Sequence, residues 1–559
     1  MNFNKVQSTR QPLPFLNMNR LVLPIHLLLK KTYINRLMFL LVVLFYSFNS
    51  FAQNSQEELD KLIRAVQVVK FAYVDPVDDS KLVEEAIKGM LRELDPHSVY
   101  LSAEELKEAN EPLIGSFDGI GVQFNIINDT IVVVSPIPGG PSEKVGVLPG
   151  DKIVTIDEEK STGSKVTNSF VMKRLRGERG TNVTVGIHRR GTPEIMDFTI
   201  TRDKIPINSV DASFMATPEI GYIKLNRFSR TTMREFREAM NDLMAQGMMH
   251  LVLDLNYNSG GFLDVAIDLA DQFLDRNRLI VYTEGNSSPT QRFNSTNAGN
   301  FKSGKLVVLI NEGSASASEI VAGAVQDWDR GLIIGRRSFG KGLVQRPFEL
   351  PDGSAIRLTT ARYHTPTGRS IQKPYDEGTD AYYRDLSQRL QSGELISPDR
   401  IEFPDSLNYQ TLRNKRDVYG GGGIMPDFYI PLDTNRVSNY YSRLLRTGAI
   451  NTFSIEYTNE NRDKLLGKYP NLKVFMEDFQ IDDQMEDMLF EHAQNQGIER
   501  KDEEKNDKHL NNQLKSLIAR SLWDFSAFVQ VGIQMDNAYL RAIEIIEDDT
   551  FNKLNIHYR

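Results

Sequence analysis

The sequence predicts a multidomain α+β protein in four parts: an N-terminal helical segment, a small β-rich barrel with two helices, an α/β core, and a C-terminal helical extension. Three observations lead there. At 559 residues the chain is too long for one hydrophobic core. Its apolar residues recur at three-and-four spacing up to about Leu106 and then fall into short strand-like runs. Residues 205–435 alternate strand-like and helix-like segments, as expected of an α/β layer with partly parallel strands. The boundaries read from these changes are 1–52 (leader), 53–110 (helical), 111–204 (β-rich), 205–435 (α/β core) and 436–559 (helical).

Lys30, Lys31 and Arg36 precede the apolar run Leu37 to Tyr46, and "SFA" at 50–52 offers small residues for cleavage before Gln53. This is the three-part pattern of a secretory signal, with an uncleaved membrane anchor as the alternative and Met18 as an alternative start. It predicts an exported protein of the periplasm or cell envelope. In the helical segment Leu62, Val66 and Val69, then Leu82, Ala86, Met90 and Leu94, recur at helical spacing until "LDPHSVYL", 94–101, breaks the helix at its proline.

In the β-rich part "GIGVQFNI", "TIVVVSPI" and "GDKIVTID" read as strands, "PSEKVG" and "SFVMKRLRG" as helices, and "NVTVGIHRRG" and "MDFTITR" as further strands. Gly119 and Gly121 flank Ile120 at the mouth of a strand, where adjacent backbone N–H groups can turn inward to receive a carboxylate. A peptide could add as an extra strand along Val122 to Phe124, with the helix around Asn168 to Leu175 as the other wall. Together with "VVSPIPGGPSEKVGVLPGDKIVTID", 133–157, this stretch resembles bacterial PDZ domains, which implies binding of C-terminal carboxylates or apolar peptide ends. Arg176 could supply charge beside that carboxylate, or be a helix-end cation favoured by the dipole.

In the core "GYIKLNRF", "HLVLDLN" and "KLVVLI" read as strands, and "TMREFREAMNDLMAQG", "FLDVAIDLADQFL" and the amphipathic "SEIVAGAVQDW" as helices. "NEGSASASE", 311–319, puts three serines at the last strand-to-helix junction, where free helix N–H groups favour a developing oxyanion. Ser316 and Glu319 also spell a capping box, which leaves a purely structural role open. None of the eight histidines stands near a glycine-rich turn of this region with an acidic partner; His364, the one worth testing, reads as a strand end. Lys341 in "SFGKGLVQ" has Gly340 and Gly342 beside it and an apolar run before it, and Gln345 four residues on shares its face. As a base its amine must be neutral, a shift of about three pKa units worth roughly 4 kcal/mol, which desolvation can supply.

"GSASASEIVAGAVQDW" followed by "SFGKGLVQ" resembles the catalytic segment of the C-terminal processing peptidases, or tail-specific proteases. The resemblance continues through "YVDPVDDSKLVEEAIKGMLRELDPHSVYL", the PDZ stretch, "GYIKLNRFS", "DLNYNSGGFLDVAIDLA", "RLTTARYHTPTGRSIQ" and "GGGIMPD", covering about 55–430 in order. It implies an α/β core of ClpP/crotonase-like type and a serine endopeptidase with a Ser–Lys dyad. Ser316 would be nucleophile, Lys341 general base and Gln345 its positioner. The N–H of Ala317 with that of Gly260 or Gly261 would form the oxyanion hole, Ser318 being the better candidate for capping. The family usually has "DLRxNPGG"; Asn256 and Ser259 stand here for an arginine and a proline, which predicts a looser loop.

"YGGGGIMPD", 419–427, predicts a tight return near the end of the core. Beyond it Leu514, Leu517, Ile518, Leu522, Phe525 and Phe528 share one face, read as core packing first and as a surface for an adaptor or a second copy next. "ERKDEEKNDK", 499–508, reads as a solvated charge run. The net charge of −8 shows no basic face, which argues against nucleic acid, and the lack of cysteine excludes disulfides and thiolate chemistry. No cofactor or metal is implied. The expected partners are proteins or peptides with accessible C-terminal tails, with the membrane close by if the leader is retained. Two other readings compete with the peptidase: a catalytically silent PDZ scaffold, and an envelope assembly factor working through its C-terminal helices.

Overall fold

The computed structural model describes residues 56–434, 438–501 and 507–558; the leader and half of the charge run at 499–508 lie outside them. The chain forms two units that divide after Gly89. Helix α1 (56–72) and most of α2 (Asp79–Arg92) belong to the first, and α2 stops short of Pro96 as the proline predicts.

The second unit begins with β1 (Val99–Leu101) and α3 (Ala103–Ile114), which opens on a Ser102–Glu105 capping box. The β-rich module follows: β2 (Ser116–Gly119), β3 (Val122–Ile127), β4 (Thr130–Pro136), α4 (Pro141–Lys144), β5 (Lys152–Ile156), β6 (Glu159–Lys160), α5 (Asn168–Leu175), β7 (Asn182–His188), β8 (Met196–Thr201) and β9 (Asp203–Pro206). Its antiparallel sheet runs β3-β4-β5-β7-β8 and leaves β3 on an edge, while β2 and β9 pair as a neck. Alternating residues such as Ile131, Val133, Val185 and Ile187 pack beneath Val171 and Leu175 of α5.

The core comprises β10 (Val210–Met215), β11 (Ile220–Leu225), α6 (Thr232–Ala245), β12 (His250–Asp254), α7 (Leu263–Asp271), β13 (Leu279–Gly285), β14 (Ser288–Asn294), β15 (Leu306–Ile310), α8 (Ala317–Asp327), β16 (Leu332–Gly335), β17 (Leu343–Glu349), β18 (Ala355–His364), α9 (Thr379–Gln391), β19 (Asn408–Gln410), β20 (Asp417–Tyr419) and β21 (Phe428–Tyr429). The main sheet, β10-β11-β12-β15-β16-β21, is parallel from β11 onward. Every residue of β15 is buried, as befits a strand covered on both faces. A second, antiparallel sheet, β1-β18-β13-β14 with β17 on β18, supplies the other wall of the site. Helix α8 is buried on every face rather than amphipathic. Its polar end tolerates this because Asp327 and Gln326 both accept from Arg369 at 2.7 Å.

The C-terminal helices are α10 (Asn439–Thr447), α11 (Ala449–Lys468), α12 (Leu472–Asp478), α13 (Asp483–Gln494), α14 (Lys508–Leu522), α15 (Phe525–Gly532), α16 (Asn537–Glu547) and α17 (Thr550–Lys553). The apolar face at 514–528 is not continuous: α14 ends at Leu522, and Asp524 caps a new helix by accepting from Ala527 N at 2.8 Å. Leu514, Leu517, Ile518 and Leu522 are buried within the helical bundle. Val529, Tyr539, Ala542, Ile545 and Ile546 cover Tyr222, Val252, Val307 and Ile334, the second face of the main sheet. On another side Ile455 of α11 packs on Val132 and Val134 of β4, so the extension touches both the β-rich module and the core. Ile545→Ala, which opens a cavity in this layer, is expected to destabilise the protein by about 3 kcal/mol, read as a lowered denaturation midpoint.

Candidate active site

The turn between β15 and α8 is held open by its own polar residues. Asn311 Oδ1 accepts from Gly313 N (3.0 Å) and Tyr257 N (2.9 Å), and buried Ser314 donates to Leu255 O (2.8 Å). Ser316 is left at φ 56°, ψ −111°, a strained conformation for a residue with a side chain. Ser318 does not cap the helix. It lies inside α8 and donates to Asn258 O at 2.8 Å, tying the helix to the glycine loop.

Glu319 makes its half of the capping box by accepting from Ser316 N at 2.7 Å, and it does more. Fully buried, the carboxylate also accepts from Ser338 Oγ (2.5 Å), Gly340 N (2.7 Å) and Lys341 N (2.9 Å). Oε2 thus holds the main chains of both Ser316 and Lys341. Burial pushes this carboxyl up to about 7 against the four donors, which favour the anion. From the other side the buried Tyr363 hydroxyl donates to the carbonyls of both Ser316 and Lys341. The glycines of 420–423 let their turn close on this loop: Ser338 N donates to Ile424 O (3.1 Å), and a Cβ on Gly340 would lie 3.0 Å from Gly423 N.

Lys341 Nζ donates to Gln345 Oε1 at 2.9 Å, and Gln345 Nε2 donates to the carbonyl of His97. No hydrogen bond joins Nζ to Ser316 Oγ; catalytic hydrogen bonds often tighten only around a bound substrate. Burial holds the Lys341 amine below its ordinary value, and Arg357 adds to this while Glu319 and Asp95 oppose it. His364 ends β18, stacked on Tyr282 at 4.7 Å.

The "NYNSGG" loop is tightly held, contrary to the expectation from Asn256 and Ser259. Buried Asn258 donates from its amide to Leu225 O (2.8 Å), accepts from Gly260 N on its side-chain oxygen (2.9 Å), and receives Ala315 N on its carbonyl (3.0 Å). A Cβ on Gly260 (φ +102°) would lie 2.8 Å from Ser316 Cβ and 3.0 Å from Ala317 N. Ala317 N–H is the first amide of α8, a position with no intrahelical acceptor. At Gly261 (φ +151°) the missing Cβ would meet Phe228 O, so only a glycine fits there.

Ser316, Ala317, Gly260, Gly261, Lys341 and Gln345 all line one cavity of about 740 Å³, whose apolar wall includes Leu263, Ile267, Phe293 and Leu343. In the β-rich module, Ser142 N and Oγ both donate to Ile120 O (3.0 and 2.6 Å) and Ile137 N donates to Gly121 O (2.9 Å), fixing the turn before β3. Gly119, Gly121 (φ +73°) and Val122 thus stand at the start of an edge strand. Arg176 lies beside Gly119 with its guanidinium 4.3 Å over Phe117 and ion-paired to Glu111 of α3.

Sequence reasoning missed Glu319 as a bridge, Tyr363, Asn258 and the His97 carbonyl. "SxxE" was the signal for the first; the others stood in quoted motifs with nothing local to mark them.

Comparison with known proteins adds four matches along the chain. The profile of peptidase family S41 matches residues 219–380, that of PDZ domains 119–200, that of the activating protease CtpB N-terminal domain 46–105, and one of a family of unknown function 440–524. A carboxy-terminal-processing protease of Bartonella bacilliformis is 40% identical over 324 residues, 57% of this chain and 74% of that protein. The carboxy-terminal processing protease CtpB of Bacillus subtilis is 32% identical over 415 residues, 73% of this chain and 85% of that protein. CtpA of the same organism is 36% identical over 323 residues, covering 58% and 68%.

Proposed function

The chain belongs to the carboxy-terminal processing proteases of peptidase family S41, serine-type peptidases, and from that premise we propose that its chemistry runs through Ser316 and Lys341. The observation that carries the proposal is the single buried carboxylate oxygen of Glu319 that receives the main-chain N–H of both residues at the edge of one cavity.

Neutral Lys341 takes the Ser316 Oγ proton as Oγ attacks the scissile carbonyl, and returns it to the leaving amine; water then hydrolyses the acyl-enzyme by the same route. Ala317 N–H is one oxyanion donor. Gly260 or Gly261, which line the cavity with Ser316, supplies the second; Gly260 would have to exchange Asn258 Oδ1 for the oxyanion. Substrate tails dock as an added strand on β3, their carboxylate at Gly119 to Gly121, and the apolar cavity wall favours apolar side chains at the cleavage point. The leader directs the protein to the periplasm or cell envelope; among the described residues no helix is long and apolar enough to cross a membrane.

A serine-directed phosphonate, followed by peptide mass spectrometry, tests this reading. The expected result is a single adduct on Ser316, with time-dependent loss of cleavage of an unstructured protein ending in apolar residues. An adduct on another serine with parallel inactivation would overturn it. Absence of both label and cleavage would favour the silent scaffold.

A further inference from the structure

The segment 95–101, which enters the sequence only as a helix breaker, is fastened on two sides. Along the second sheet, β1 pairs with β18, Val99 opposite Arg357 and Leu101 opposite Ala355. Asp95 gathers the turn: Oδ1 accepts from His97 N (2.8 Å), Ser98 N (2.9 Å) and Thr359 Oγ1 (3.1 Å), and Oδ2 from Ser98 Oγ (2.6 Å). Thr359 stands opposite Gln345 in the β17–β18 register, so the His97 carbonyl comes to the end of the Gln345 side chain. From the other side, α9 grips Pro96 and His97 of the same turn. Tyr383 donates to Pro96 O at 2.8 Å, and the Tyr382 hydroxyl lies 2.8 Å from His97 Nε2 with the rings edge-on at 5.0 Å. Lys373, paired with Asp385 at 2.9 Å, sits 4.1 Å over the Tyr382 ring and holds it in place.

We propose that Tyr382 and Tyr383 of α9 are positioning residues: by holding the His97 carbonyl on Gln345 Nε2 they fix the direction of the Gln345 amide, and through it the amine of Lys341. The inference rests on Lys341 being the base. Its physical core is that a carbonyl only accepts, so the His97 oxygen must take the NH₂ end of the amide. The oxygen end then faces Lys341 and receives one of its N–H groups, as observed at 2.9 Å, leaving the amine lone pair for Ser316 Oγ. A reversed amide would point N–H at the amine and occupy that lone pair. The same grip seals water from Lys341, whose amine is held low by burial and by Arg357 on β18, against Glu319 on α8 and Asp95. His97 adds no charge at neutral pH, since burial, with Lys341, lowers it to about 4.

The test is a cycle in the full chain: Tyr382→Phe/Tyr383→Phe, Gln345→Ala and their combination, assayed on a quenched peptide with an apolar C-terminus. The phenylalanines keep both rings, and thermal denaturation verifies folding. The expected result is a kcat roughly 10- to 50-fold lower with KM nearly unchanged, and an acidic limb of the kcat/KM profile displaced upward by about one pH unit as water reaches Lys341. In the Gln345→Ala background the tyrosine changes should add nothing further. An equal, additive loss in that background, or an unmoved kcat and pH limb, would overturn the proposal. Failure of the premise shows separately, as cleavage that survives Lys341→Ala.

Discussion

Lys341→Ala is expected to lower kcat/KM roughly 10³- to 10⁴-fold, the upper range for removing a general base, and Lys341→Arg to do no better. Arginine keeps length and charge, but its guanidinium does not give up a proton and cannot accept one from Ser316. The neutral amine is the working form, so kcat/KM of the wild type should rise with pH through the lowered Lys341 pKa and then level off. Stability carries the same sign. Between the folded pKa and about 10.4 the unfolded chain binds the extra proton, so the Lys341 contribution to stability increases as pH rises through that window. An active arginine variant, or a profile with no rise at any pH below the ordinary lysine range, would remove Lys341 from the mechanism.

Glu319→Gln is the second large effect expected, although Glu319 touches no reacting atom. The carboxylate serves four donors: Ser316 N, Ser338 Oγ, Gly340 N and Lys341 N. An amide has one acceptor oxygen, and its NH₂ end would confront donors inside a dry site. Each buried donor left without a partner costs about 1–3 kcal/mol, so two such losses should destabilise the fold by about 2–6 kcal/mol. Because the same oxygen holds Ser316 and Lys341, kcat should fall by roughly 10²- to 10³-fold, as misplacement of reacting groups predicts.

Two pH readouts separate this effect from general damage. Glu319, pushed up to about 7, binds its proton more tightly folded than unfolded, so its contribution to stability falls as pH rises from about 4.5 to 7. That slope should vanish in the variant, measured as the difference in denaturation midpoint across the window. Glu319 also raises the Lys341 pKa, so the acidic limb of the remaining activity should move down. A variant with wild-type kcat would refute the bridging role.

Much of this was legible in the chain because it depends on near neighbours. The strand-to-helix junction at Ser316, the break before Pro96, the glycine turn before β3 and the four-residue step from Lys341 to Gln345 are all written within short windows. The expectation of a loose "NYNSGG" loop failed for the opposite reason. It weighed the residues that had changed, Asn256 and Ser259, whereas the loop is held by Asn258, whose partners are Leu225, Ala315 and Ser318. Likewise Ser318 read as a cap from its position, but its acceptor is a carbonyl 60 residues earlier in the chain.

Within the chain alone stand the order of the parts, the peptidase resemblance, and the serine and lysine that this resemblance pairs. Those rest on local spacing and on motifs in order. Packing of distant segments is what shows that Glu319 and Tyr363 lace the two turns together, that Gln345 donates to a carbonyl from the N-terminal side, and that α15 and α16 form the second cover of the main sheet. An apolar face states that it must be buried but not against what, and a carboxyl or carbonyl shows its capacity to accept but not its donor. Those partners are fixed when distant segments pack and each buried polar group must find a partner within reach.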